Sequence, residues 1–172
     1  MKKHLNFLGY LVALYVLGSI TVATAATAAP QRTYPHMAPL SQYLIADQAA
    51  EIALARSAAP ASISKAADVL VLGPKGYTTA VKGSNGFVCV VERAWATAPD
   101  DPEFWNPSLR APICFNAAAA RSFLPIYLLK TTWVLAGKPR SEIHQATVAA
   151  FDSKQLPALE PGAMCYMMSK QQ

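Results

Sequence analysis

Ser62-Ile63-Ser64-Lys65 fits S-x-x-K, in which a serine nucleophile gives its proton to a lysine one helical turn on. The penicillin-recognising enzymes that use this chemistry also carry S-D-N and K-T-G strings, and neither occurs here. The four residues therefore read as a polar link before the first strand. His144 is the only histidine beyond residue 39, so a Ser-His-Asp triad has to use it as base. No G-x-S-x-G string supplies an activated serine. Asp100, Asp101 and Glu103 are too few for a calcium site, which needs about six oxygens in ordered geometry. Cys89, Cys114 and Cys165 form no C-x-x-C and stand near no histidine, so neither zinc nor dithiol redox chemistry is indicated. Gly73-Pro74-Lys75-Gly76 is turn chemistry and no phosphate loop. No metal or cofactor is expected.

The segment from Ala98 to Asn116 is the best remaining candidate. Pro99, Pro102, Pro107 and Pro112 forbid regular structure, and Phe104, Trp105, Asn106 and Arg110 stand among them. Long loops in compact domains are commonly functional. Aromatic residues and arginine dominate recognition surfaces, so these four are the expected ligand contacts. The competing reading is that Trp105 plugs the loop onto the core.

The elements that position this loop follow from periodicity. Leu44, Gln48, Ile52 and Ala55 predict a helix over about 41–57, stopped by Pro60. Asp47 and Glu51 are expected to face water with Arg56. Val69–Leu72, Tyr77–Lys82 and Phe87–Glu92 read as three strands joined by Gly73–Gly76 and Gly83–Gly86, since Asn-Gly is a strong hairpin signal. Phe87, Cys89 and Val91 share one strand face. Asn116 caps a helix that Pro125 restarts, and Gly137 with Pro139 ends a largely buried one. Ser141 is expected to cap another, with Ile143, Ala146, Ala150 and Phe151 as its stripe. Residues 163–168 read as a fourth strand. The expected fold is α+β: a three-stranded antiparallel meander plus a C-terminal strand, with several helices on one sheet face.

Residues 1–28 have the layout of a signal peptide: Lys2 and Lys3, an apolar run from Leu5 to Ile20, then two A-x-A sites. Residues 29–39 are expected to be a flexible leader and 40–172 a single domain. Export, to a periplasm or beyond the cell, permits a disulfide. The three cysteines leave every pairing open. Cys89–Cys114 is favoured, as a tie between the end of a sheet and the start of a helix; the competing reading is that all three are buried thiols. Once the leader lysines are removed, 13 basic residues face 10 acidic ones with no cluster, which gives no nucleic-acid footprint. No later stretch is long and apolar enough for a stable membrane span.

Gly86-Phe87-Val88-Cys89, Phe104-Trp105-Asn106-Pro107, Arg110 to Asn116, Trp133 to Gly137 and Pro161-Gly162-Ala163-Met164 together resemble a family of uncharacterised exported bacterial proteins. The likeness runs from about Ser41 onward. It implies export but carries over no catalytic residue. It also implies a longer C-terminal tail with Trp and His, which would make this chain a shortened member. The expected function is a non-enzymatic binding or envelope-associated domain whose 98–116 loop meets an unknown ligand or partner. The alternatives are a small exported hydrolase using His144 or a cysteine, and a truncated remnant.

Overall fold

The computed structural model describes residues 33–170, so the expected signal peptide and the first part of the leader lie outside the described residues. Within that range the chain is α+β. Helix α1 spans Gln48–Arg56 and α2 spans Ala61–Ser64. Strands β1 (Asp68–Gly73), β2 (Gly76–Val81), β3 (Val88–Glu92) and β4 (Ala111–Phe115) follow. Helices α3 (Ala117–Ser122), α4 (Leu124–Leu135) and α5 (Arg140–Asp152) lead to a two-residue strand β5, Cys165–Tyr166.

The sheet order is β2-β1-β3-β4-β5. β1 and β2 form the expected hairpin, but β3 pairs with β1, in parallel, so the three strands are not a meander. The reason lies in the loop after β2, which crosses the start of β1 instead of turning back along β2. Gly83 is the close-approach point: a Cβ there would stand 2.3 Å from the carbonyl carbon of Ala67. Its N–H donates to Asp68 Oδ1 at 2.6 Å, and Ser84 N–H donates to Ala66 O at 2.8 Å. Asn85 Nδ2 donates to Ile63 O, so the Asn-Gly pair straps the crossing in place. Only a residue without a side chain fits at Gly83, and local turn chemistry does not distinguish this path from a hairpin.

β4 lies where Pro112 argued for loop. Pro112 stands opposite Val91, two residues from the Cys89–Cys114 pair. The latter Cα atoms are 4.0 Å apart, the spacing of a pair without ladder hydrogen bonds. Pro112 shares that phase, so its missing N–H falls on the side away from β3. There β5 reaches only Cys114 and Phe115. Residues 163–168 thus supply far less strand than their composition suggested.

Helices cover both faces, not one. Cys89, Val91, Cys114 and Val69 pack with Ala55 and Ala58 on one side. Val90, Ile113 and Phe115 pack with Ala119, Tyr127, Val134 and Ile143 on the other. Near-continuous apolar strands such as β1 and β3 bury both faces. Cys89 and Cys114 are bonded and fully buried, joining neighbouring strands rather than a sheet to a helix. Cys165 is free and exposed. Among the described residues no helix is long and apolar enough to cross a membrane.

Several ends differ from expectation. α1 begins at Gln48 because the Asp47 side chain accepts from Ala49 N–H and caps it. Asn116 caps α3 as expected, accepting from Ala119 N–H at 2.9 Å. Ser141 does not cap α5, which starts at Arg140 with Pro139 in the cap position, two residues before the expected start. In the leader, Tyr34, Met37 and Ala38 pack against the core, and Tyr34 N–H donates to Pro102 O.

Candidate functional site

Residues 98–110, the part of the 98–116 segment that precedes β4, are ordered by their own side chains. Asp101 Oδ1 accepts from Glu103 N–H, Asn106 Oδ1 accepts from Ser108 N–H, and Asn106 Nδ2 donates to Glu103 Oε2 at 2.6 Å. These are Asx-type turns, which replace the ladder bonds that prolines deny. Asp101 and Glu103 are therefore turn formers, and Asp100 alone of the three acidic residues is exposed.

Phe104 and Trp105 point inward. Both are core residues, packed edge to face with ring centroids 4.6 Å apart. Trp105 O accepts from the Tyr43 hydroxyl at 2.8 Å. Lys130 Nζ and the Arg140 guanidinium each lie 5.7 Å from the Phe104 ring centre, within cation–π range. The two aromatics anchor the loop, and the surface it offers is made by their neighbours.

Asn106 and Arg110 are those neighbours. With Leu54, Thr97, Ser108 and Leu109 they line an open depression of about 800 Å³. Arg110 Nη1 donates to Pro107 O and Leu109 O, at 2.7 and 2.9 Å, and Nη2 donates to Gln42 O at 2.9 Å. No carboxylate among the described residues lies within ion-pair distance of it. Its pKa is lowered, first by burial and then by repulsion from Arg93. The guanidinium is thus held by carbonyls, with Glu51 opposing the shift from a distance and no carboxylate in ion-pair contact.

Beneath the loop lies a polar system that the sequence did not reveal. Arg93, at 0 % exposure, pairs with Glu51, at 1 %, across 2.8 Å. Arg93 Nε donates to Tyr43 O, its Nη1 donates to Val91 O, and its backbone N–H donates to the Tyr127 hydroxyl. Glu51 Oε1 also accepts from Leu72 N–H. Glu51 was expected to face water. It is buried because α1 turns that edge onto the sheet, and its partner stands 42 residues away. Tyr77 and Tyr127 share a hydrogen bond, and burial raises the pKa of both.

Glu92 and Lys130 are also buried, without an ion pair within 4 Å among the described residues. Lys130 Nζ donates to Thr97 O and Ala96 O at the loop entry. Burial pushes Glu92 up to about 7, with Lys130 opposing the shift, and pushes Lys130 down to about 8, with Glu92 opposing it. The consequence has a definite sign. A carboxyl raised in the fold contributes fully below its ordinary value of 4.5 and loses that contribution as pH rises through about 7. Glu92→Gln therefore flattens the fall in stability between pH 4.5 and 7. Urea midpoints of both proteins across that window test this; parallel curves would refute it.

His144 is exposed on α5, where it joins Asp100, Ser141 and Arg140 around a second depression of about 710 Å³. No hydrogen bond joins the serine, imidazole and carboxylate, so no triad is assembled. Ser62 and Lys65 are both exposed at the short helix α2, again without a mutual hydrogen bond. Among the described residues no group of three or more His, Cys, Asp or Glu is placed to hold a metal. Comparisons with family models, curated proteins and solved structures give no match to this chain.

Proposed function

We propose that this chain is an exported, non-enzymatic binding domain that takes an anionic group, most simply a carboxylate, at Arg110. The carrying observation is a guanidinium fixed by three backbone carbonyls at an open depression, with no carboxylate of its own. A guanidinium has five N–H donors, and two remain here for a ligand oxygen. Asn106 and Ser108 add polar groups beside it, and Leu54 and Leu109 add an apolar wall. Fixed polar groups in a partly apolar hollow are the usual make-up of a binding site. The signal-like start of the sequence and the buried disulfide support export.

The test is an amide-shift titration of the protein with capped acidic and neutral peptides. Acidic peptides should move the signals of Leu54, Thr97, Ser108 and Ala111. Arg110→Gln should weaken binding by about 10–100-fold, the worth of a hydrogen bond to a charged group. Equal response to neutral peptides, or shifts confined to other surfaces, would refute the assignment.

The hydrolase reading rests on the gathering of Asp100, Ser141 and His144 around one depression. A fluorophosphonate that labels Ser141 in wild type but not in His144→Ala would favour it over binding. Absence of labelling leaves the binding reading in place.

A further inference from the structure

The loop that forms the Arg110 depression is held at its entry by a buried cation. Lys130 Nζ donates to Thr97 O at 2.9 Å and to Ala96 O at 3.3 Å. It also lies 5.7 Å from the centre of the Phe104 ring, which anchors the middle of the loop. Thr97 lines the depression beside Arg110. The Thr97 hydroxyl donates to Ala94 O at 2.8 Å, so its place follows the turn that Lys130 grips. Glu92 stands on β3 opposite Ala111, a second residue of the same wall.

Few other charges reach this ammonium. Helix α4 packs against α3, α5, β2 and the Ala94–Ala96 turn. From α5, Arg140 lies 5.7 Å from the same Phe104 ring. From β2, Tyr77 is hydrogen-bonded to Tyr127. From α3, Arg121 is paired with Glu160 at the surface. In the loop, Asp101 and Glu103 are engaged in its turns, and Asp100 is exposed. The Ala94–Ala96 turn carries no titratable side chain. Glu92 is the carboxylate whose charge acts on Lys130.

We propose that Lys130 is a proton-controlled clamp on the Arg110 site: its ammonium holds the Thr97 wall in the binding shape, and loss of its proton releases that wall and weakens the ligand's hold. The inference rests on the Arg110 reading. A charged donor holds a carbonyl about twice as strongly as a neutral one, and only a cation is drawn to an aromatic face. Deprotonation therefore loosens all three contacts together and leaves the apolar stem of Lys130 in place. Burial pushes Lys130 down to about 8, with Glu92 opposing the shift. The clamp is closed below that pH and opens as pH rises through it. Ligand carboxylates are already ionised there and arginine keeps its proton, so neither direct partner accounts for a change.

The experiment follows the full chain from about pH 6 to about pH 9.5, where carboxylates and arginine hold their charges. Affinity for a capped, dye-labelled acidic peptide is read by anisotropy. The carbonyl carbon signals of Ala96 and Thr97 are read in the free protein. Wild-type affinity should fall about 5–10-fold through about pH 8, the low end for linked sites. Both carbonyl signals should titrate with the same midpoint. Linkage is reciprocal, so bound peptide should raise that midpoint by about 0.7–1 pH unit, the logarithm of the same factor. Glu92→Gln removes the charge that supports the ammonium and should move both curves to lower pH. Lys130→Met keeps the stem and should bind weakly, with no dependence on pH. A merely structural lysine would leave affinity level across the window. Level binding in the wild type overturns the proposal, as does a fall that Glu92→Gln leaves unmoved or that Lys130→Met retains. Absence of peptide binding at every pH removes the Arg110 reading and the regulation with it. A carbonyl titration that persists in that case shows that the ligand assignment failed and not the clamp.

Discussion

Glu51→Ala lowers the unfolding free energy by about 3–5 kcal/mol, because it leaves the Arg93 charge buried without a counter-ion. It also removes the acceptor of Leu72 N–H, a strand donor with no water to turn to. A domain of this size has only about 5–15 kcal/mol in hand, so the variant sits near the edge of folding. The control separates pairing from packing. Glu51→Met with Arg93→Met removes both charges while keeping bulk, and recovers the part of the loss that comes from the unpaired charge, while Leu72 N–H and Tyr43 O stay without their partners. Chemical denaturation of the single and double variants measures both. A loss below about 1 kcal/mol in the single variant would mean that water reaches Arg93.

The second large effect belongs to the disulfide. Cys89 and Cys114 close a loop with a sequence separation of 25. Chain-entropy arguments give such a crosslink about 3 kcal/mol. Cys89→Ala with Cys114→Ala should cost that much, measured in a Cys165→Ser background that prevents exchange. Because both sulfurs are fully buried, mild reductant should leave the folded protein oxidised and act only when denaturant opens it. Rapid reduction under native conditions would contradict the burial.

Local chemistry made much of this fold legible. The Gly73–Gly76 turn and the Asn116 cap follow from residues near one another, and the favoured Cys89–Cys114 pairing holds, although it joins two strands and not a sheet to a helix. What was not legible was set by distant partners. Asn85-Gly86 serves a crossing as readily as a hairpin, and the decision rests on Gly83 lying against Ala66–Asp68. Pro112 argued against a strand because nothing local reveals that β5 stops short of it. Glu51 looked solvated since Arg93 is remote in sequence. At the candidate site the sequence singled out the segment but not the division of labour within it. Phe104 and Trp105 went to the core, while Asn106 and Arg110 stayed at the surface. Alternation along an irregular loop offers no rule for predicting that split.

Pro112 carries a last implication, for solubility. A sheet edge with free N–H groups invites another chain to add a strand, and proteins blunt such edges with proline. The outer side of β4 beyond Cys114 has no strand partner, because β5 pairs only with Cys114 and Phe115, although Pro112 and Ile113 are themselves buried. At Pro112 the donor that a visiting strand would seek is missing from the backbone itself. The residue that disguised β4 in the sequence thus leaves this unpaired stretch one donor short wherever partial unfolding opens it to another chain.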